Sequence, residues 1–516
     1  MGKDLDFYEI VRLGDNNNYL QQLLAVKIFH TLYLSFAFLA ILFCVRVYLI
    51  GTQEHNSYLL RASANMQSKG EITPPRGIFF DRYKIPIAQN LSVYSVSLNL
   101  SEFESNRNES EEYLLQVLGL KIEELNDIIS KAKDKGTNIA LLKKDIIPEI
   151  MLKLKAKEIN GVVVHSDYRR TYPYKELLSQ VIGYTDREGH GIAGLEAFYD
   201  NLVKGTPGMV LQEENAIGDI LREERVINPE SGDPLMTSID LEFTAYIDKR
   251  MREGLDKLGR KAGVVLAMNP QNGEILSLVS LPTYDNNIFV TLGNDEEKEI
   301  KRKLLIDNLK PLFNRVISGN YNPGSTIKPL HALAALAEGV VSSDQSFNSI
   351  GYIEIPNPYF PELPSRFVDW KAHGYVNVFS ALARSSNVYF YIVGGGFKDI
   401  KGLGINRLLN WWDKFYFGKR LGVDYPSESL GALPKPAEKK LISGRSWSIG
   451  DTYHVSIGQG DLSLTPLQLL SYINVFANNG FLYKPHFNIS EEKQILTNFL
   501  KYSDEIDIVR RGMRDA

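Results

Sequence analysis

A chain of 516 residues exceeds what one hydrophobic core organises, so it divides into two or more domains. A formal net charge of −4, with 44% hydrophobic and 23% charged residues, describes a globular protein and excludes a disordered chain or a nucleic-acid binder. The single cysteine, Cys44, excludes an intramolecular disulfide framework.

Between Lys27 and Arg46 run about eighteen residues without a formal charge, with His30, Thr31 and Ser35 as the polar exceptions; Val47–Ile50 extend the run. That length suffices for a transmembrane helix over 28–50. A cleaved signal peptide and a buried core helix are the competing readings. Ala62-Ser63-Ala64 resembles a cleavage site but lies far beyond the apolar stretch. We expect a single uncleaved anchor after a segment spanning 1–27. Lys3, Arg12 and Lys27 on one side face Arg46, Arg61 and Lys69 on the other, so charge leaves its orientation open.

Residues 51–235 read as a mixed α/β module without a catalytic cluster. Ile78–Phe80 and Ile85–Ala88 suggest short strands around a polar turn, and Val93–Leu100 alternates like a half-buried strand. Ser110 to about Lys135 reads as helical, Leu141–Lys157 as a second helix interrupted at Pro148, and Val162–His165 and Val181–Tyr184 as strands. Gly232-Asp233-Pro234 marks a boundary, and a second domain spans 236–516. There Asp240 caps a helix carrying Phe243, Ile247, Met251, Leu255 and Leu258, closed by Gly259. Gly263–Met268 and Glu274–Ser280, joined through Asn272-Gly273, form a hairpin whose apolar strands need cover on both faces. The fold class is α+β, with an antiparallel sheet between helical layers.

Asn322-Pro323-Gly324-Ser325-Thr326-Ile327-Lys328-Pro329 brings a serine to the start of an apolar run, with a lysine three residues later on the same helix face. A serine hydroxyl needs a base within reach, and a lysine of lowered pKa can serve. The same spacing at Ser130–Lys133 and Ser490–Lys493 lies in charged, surface-like sequence. Only Ser325 leads into a buried-helix pattern, Leu330, Leu333, Ala334 and Leu336. Ser385-Ser386-Asn387 supplies a second polar cluster, in which a serine and an amide could relay a proton and hold a substrate amide. Gly394-Gly395-Gly396 reads as a flexible helix connection, since no phosphate-loop lysine follows. The histidines show no His-Glu-x-x-His spacing. Ser456–Gly460 and Thr465–Gln468 read as a glycine-rich turn entering a helix.

Taken together these residues resemble the class B penicillin-binding proteins, most closely the elongation-type penicillin-binding protein 2 group. Arg76-Gly77 with Asp81-Arg82 matches the entry to that family's pedestal domain, although Tyr83-Lys84 replaces the usual Asn-Gly turn. Gly194-Leu195-Glu196 with Tyr199 and Gly205 matches a second pedestal signature. Phe313-Asn314-Arg315 and Tyr321–Pro329 match the first transpeptidase motif, Ser385–Asn387 the second, and Ser456–Gly460 with Thr465–Gln468 a further one.

The resemblance implies a single-pass D,D-transpeptidase of the inner (plasma) membrane, its catalytic domain on the periplasmic or extracellular side. Its role would be cross-linking peptidoglycan stem peptides during cell-wall elongation, and β-lactams would acylate it. It further implies Ser325 as nucleophile, Lys328 as base, Ser385 as proton relay and Asn387 as a holder of substrate or Lys328. A polytopic glycan polymerase is the implied partner; no cofactor, metal or nucleic acid is expected. Two departures stand out. The family's Lys-Thr/Ser-Gly strand occurs nowhere in these 516 residues, so we expect a C-terminally truncated, weakly active or inactive chain. Some relatives bind zinc through Asp, His and Cys; Asp369 and His373 could match, but Ser386 stands where the thiol would be. The alternatives are another serine acyl-enzyme (a D,D-carboxypeptidase, β-lactamase or penicillin sensor) or a catalytically incomplete scaffold.

Overall fold

The computed structural model describes residues 17–52, 67–105, 107–134, 139–214, 220–291, 295–357, 360 and 362–516. Asn17–Thr52 form helix α1, within which the 23 residues Ile28–Ile50 are long and apolar enough to cross a membrane. Large side chains such as Phe29, Tyr33, Phe36 and Phe43 are exposed along it, which is not how a buried core helix packs. Its polar exceptions are satisfied internally: Thr31 Oγ1 donates to Ile28 O at 3.0 Å and Ser35 Oγ to Leu32 O at 2.9 Å. The first sixteen residues and Ala62-Ser63-Ala64 lie outside the described residues.

Strand β1 (Gln67–Ile72) is followed by β2 (Phe79–Phe80), β3 (Pro86–Asn99), β4 (Ile139–Ile146) and β5 (Val162–Thr171). β3 pairs antiparallel with β2 at its start, with β5 over Gln89–Leu98 and with β4 over Tyr94–Asn99. Val96 and Leu98 bury against α2 (Arg107–Leu118) and α3 (Ile122–Asp134), so the single helix expected from Ser110 is two, divided at Gly119 with φ +63°. Leu141–Lys157 is also not one interrupted helix: its first part is β4 and its second α4 (Pro148–Ala156). Pairing with β3 overrides the local helical preference, and Pro148 opens α4, where a missing N–H costs nothing. Val181–Tyr184, expected as a strand, begins inside the helical turn Ser179–Ile182. Every residue of that turn is buried, so its apolar run carried no period to read.

The base of this region is tied by ions. Glu196, fully buried, accepts from Arg76 Nε at 2.7 Å and from Arg170 Nε at 2.6 Å, while Arg76 also reaches Asp200 at 2.7 Å. Asp81 Oδ1 holds the turn that replaces Asn-Gly by accepting from Tyr83 N at 2.9 Å and Ile85 N at 2.7 Å. Strands β6 (Gly208–Glu214) and β7 (Ile220–Ile227) pair antiparallel, and β1 adds beside β6. Met209–Ile227 and the described residues up to Glu71 cluster as one compact unit, and Ile72–Gly208 with Asn228–Ala516 as another.

In the latter unit β8 (Leu235–Met236) runs parallel to β2. Asp240 caps α5 (Leu241–Lys257) as expected, Oδ1 accepting from Phe243 N at 2.9 Å. β9 (Gly263–Met268) and β10 (Ile275–Leu281) form the expected antiparallel hairpin, covered by α5. The central element is α6 (Lys328–Ala337), buried from Lys328 through Ala335. Two short antiparallel pairs follow, β11 (Phe347–Ser349) with β14 (Gly374–Val376) and, nested within them, β12 (Tyr352–Ile355) with β13 (Ser365–Val368). Around α6 lie α7 (Val378–Ala383), α8 (Asn387–Gly395), α9 (Gly404–Lys414) and, further along the chain, α10 (Ile449–Ser456), α11 (Pro466–Ala477) and α12 (Ser503–Arg514). α11 covers β9.

Gly394 and Gly395 are not a flexible connection: they end α8, where a Cβ on Gly394 would lie 1.8 Å from Ser456 Oγ on α10. Absent side chains let these helices touch. Thr465 and Gln468 form a capping box at the start of α11, and Gln468 Nε2 also donates to Leu430 O at 2.9 Å.

Candidate active site

Ser325 lies in one tight turn, Gly324–Ile327, wound as a 3₁₀ helix directly before α6. Three residues per turn eclipse positions three apart, which lines Ser325 up with Lys328. The turn is pinned from outside. Gly324 N donates to Gly458 O at 2.8 Å, Asn322 Nδ2 donates to Gly460 O at 3.1 Å, and Tyr321 pairs with Leu464. Gly458 has φ +74°, and a Cβ there would meet Gly324 O at 2.1 Å, so the Ser456–Gly460 turn is glycine-rich because it presses on the serine loop.

Ser325 is exposed and Lys328 is buried, 2% accessible. The two do not meet directly as the spacing suggested. Lys328 Nζ donates to Asn387 Oδ1 at 2.7 Å, to Ser385 O at 2.8 Å and to Ser385 Oγ at 3.1 Å. Ser385 Oγ is in turn 2.9 Å from Ser325 Oγ. The structure therefore gathers Ser325, Lys328, Ser385 and Asn387, with Ser385 between Ser325 and Lys328. In contrast, Ser130, Lys133, Ser490 and Lys493 are all exposed.

Burial pulls the Lys328 ammonium down to about 8, and the Asp369 carboxylate pulls the other way. The Phe390 ring lies 5.4 Å from Nζ. One turn along α6, His331 is fully buried; its Nδ1 contacts Ser456 O at 2.9 Å and its Nε2 accepts from Trp412 Nε1 at 3.0 Å. Burial holds this imidazole neutral, down to about 4, so it adds no charge beside the lysine.

Ser385 is held at φ +53°, an uncommon conformation for a residue with a side chain. Ser386 caps α8, and Asp369 accepts from Ser386 Oγ at 2.9 Å and Val388 N at 3.0 Å. His373 Nε2 lies 3.6 Å from the other Asp369 oxygen. These residues do not fit zinc: the Ser386 hydroxyl is a poor substitute for a thiolate and already donates to the carboxylate. Among the described residues no three His, Cys, Asp or Glu side chains gather as a metal site. Sequence reasoning missed His331 and the contacts of Asp369, because neither sits within a motif and both act across long sequence separations.

Two family models match the chain: the penicillin-binding protein dimerisation domain over 71–237 and the penicillin binding protein transpeptidase domain over 263–515. The peptidoglycan D,D-transpeptidase MrdA of Acinetobacter baumannii is 32% identical over 438 residues, 80% of this chain and 62% of that protein. The MrdA of Haemophilus influenzae is 29% identical, covering 87% of this chain and 70% of its own. The chain thus spans less than two thirds of the first relative's length. Among solved structures, penicillin-binding protein 2 of Helicobacter pylori in complex with MreC is similar at 27% identity and TM-score 0.74, covering 87% of this chain and 84% of that one.

Proposed function

The chain belongs to the penicillin-binding protein family that joins a dimerisation domain to a transpeptidase domain, and from that premise we propose that it is a peptidoglycan D,D-transpeptidase acting through a serine acyl-enzyme. The observation that carries the reading is the hydrogen-bonded chain Ser325–Ser385–Lys328. Neutral Lys328 accepts from the Ser385 hydroxyl, and Ser385 accepts from Ser325. Ser325 Oγ attacks the carbonyl of the D-Ala-D-Ala bond while its proton passes through Ser385 to Lys328. The tetrahedral oxyanion draws on the Ser325 backbone N–H, in a first turn whose N–H groups have no intrahelical partner. Collapse breaks the peptide bond, and the proton returns through Ser385 to the departing D-alanine amine. An amine of a neighbouring stem peptide then attacks the ester, loses its proton along the same path and frees Ser325. Asn387 fixes the amine of Lys328 throughout.

α1 supports membrane anchoring; we assign it to the inner (plasma) membrane with the catalytic domain on the periplasmic or extracellular side, where peptidoglycan lies. A polytopic glycan polymerase is the proposed partner, and the Helicobacter pylori relative's complex with MreC supports a protein of that kind as another. The test is labelling by a fluorescent penicillin. In a version that carries the Lys-Thr/Ser-Gly strand, unsubstituted Ser325 is expected to give a stable adduct and Ser325→Ala none; equal labelling of S325A, or rapid turnover of the penicillin, overturns the reading.

A further inference from the structure

We propose that Asp369, in the turn after β13, is a positioning residue for the base: its carboxylate clamps the Ser385–Asn387 turn and serves as the counter-charge of Lys328. This assignment rests on the acyl-transfer reading above. The Asp369 side chain is buried and lies outside both motifs, yet one oxygen, Oδ2, accepts from Ser386 Oγ at 2.9 Å, Val388 N at 3.0 Å and Ser349 Oγ at 3.5 Å. The Val388 N–H belongs to the first turn of α8, where a carboxylate is favoured by the helix dipole and by donors that lack intrahelical partners.

Ser386 and Val388 flank Asn387, so anchoring both to one oxygen fixes the residue whose Oδ1 holds Lys328 Nζ. Ser385 precedes the anchored serine, and its positive φ needs surroundings that enforce it. Oδ1 of Asp369 is occupied by Trp370 N at 2.9 Å, so the carboxylate cannot swing away without losing bonds on both oxygens. The charge of the same carboxylate also acts on Lys328, without direct contact and against the effect of burial. The other titratable or charged groups around the cluster are His331 on α6, Tyr391 on α8, His373 beside the carboxylate and Arg384, whose Nη1 donates to His373 O at 3.3 Å. In place of a metal, a carboxylate and a hydroxyl hold the second motif.

Two variants separate position from charge. Asp369→Asn keeps an acceptor oxygen and loses the charge. Ser386→Ala keeps the charge and loses part of the clamp. The rate constant for acylation by a fluorescent penicillin is measured from pH 5.5 to 9.5 on the same version that carries the Lys-Thr/Ser-Gly strand, with circular dichroism as the check on folding. D369N is expected to move the acid limb to lower pH by roughly half a unit to one unit. S386A is expected to lower the plateau about tenfold without moving the limb. An unshifted limb in folded D369N overturns the counter-charge role, and an unchanged plateau in S386A overturns the clamp, also where D369N fails to fold. A wild type that takes no penicillin at any pH overturns the functional reading and this assignment with it.

Discussion

At the residue scale, Lys328 meets three acceptors with three ammonium protons, so the resting contacts suit its charged form, while burial favours the neutral one. Only the neutral amine can take a proton. The acylation rate constant is therefore expected to climb about tenfold per pH unit below about 8 and to level off above it, read from a pH series with a fluorescent penicillin. Ser385→Ala breaks the path between Ser325 and Lys328, and should slow acylation by roughly 10²–10⁴-fold while the protein stays folded. His331 has a different consequence, for stability. Its folded-state pKa is depressed to about 4 from 6.5, so the unfolded chain binds the proton first on acidification. Its contribution is present above 6.5 and lost as pH falls through about 4, an effect of roughly 3 kcal/mol when complete. Chemical denaturation at pH 7 and pH 4.5 should show that loss in the wild type and much less of it in His331→Gln.

At the scale of elements, the site depends on close approach. α8 and α10 touch because Gly394 and Gly395 have no side chains to separate them, and the serine turn rests on Gly458. Gly458→Ala would place a methyl 2.1 Å from Gly324 O and must displace the turn that carries Ser325. A nucleophile moved by about 1 Å loses on the order of 100-fold in rate, so acylation of G458A should fall by about that factor with circular dichroism unchanged. The capped helices were legible locally: Asp240 before α5 and Thr465-Pro466 before α11 are start signals that need nothing from elsewhere in the chain. Residues 141–146 were not, because the partner that makes them a strand, β3, lies some forty residues earlier.

On the scale of the molecule, long-range polar ties join the region before Gly208 to loops of the transpeptidase domain. The Tyr199 hydroxyl donates to Asp424 Oδ2 at 2.6 Å and lies 3.2 Å from Glu491. Asp424 also accepts from Phe487 N at 2.7 Å and Asn488 N at 2.9 Å; burial pushes its carboxyl up, and those bonds oppose the shift. Tyr199→Phe removes one bond to a charged group and leaves the others, a cost of about 1–3 kcal/mol. The melting temperature should fall while acylation by a small penicillin keeps its wild-type rate. Glu196 is less forgiving, since Glu196→Ala would leave two buried guanidiniums without their carboxylate, at about 3–5 kcal/mol.

The sequence by itself offered the candidates for nucleophile, base and relay, because Ser325–Lys328 and Ser385–Asn387 are local patterns written in a few consecutive residues. It also determined the apolar helix, since length and absence of charge suffice there. Only the tertiary structure decided how the parts connect. Lys328 reaches Ser325 through Ser385, His331 is held neutral between Ser456 and Trp412, and Asp369 anchors a turn seventeen residues beyond it in sequence. Each is a contact between distant segments, and its strength comes from desolvation that exists only once the helices around α6 have closed.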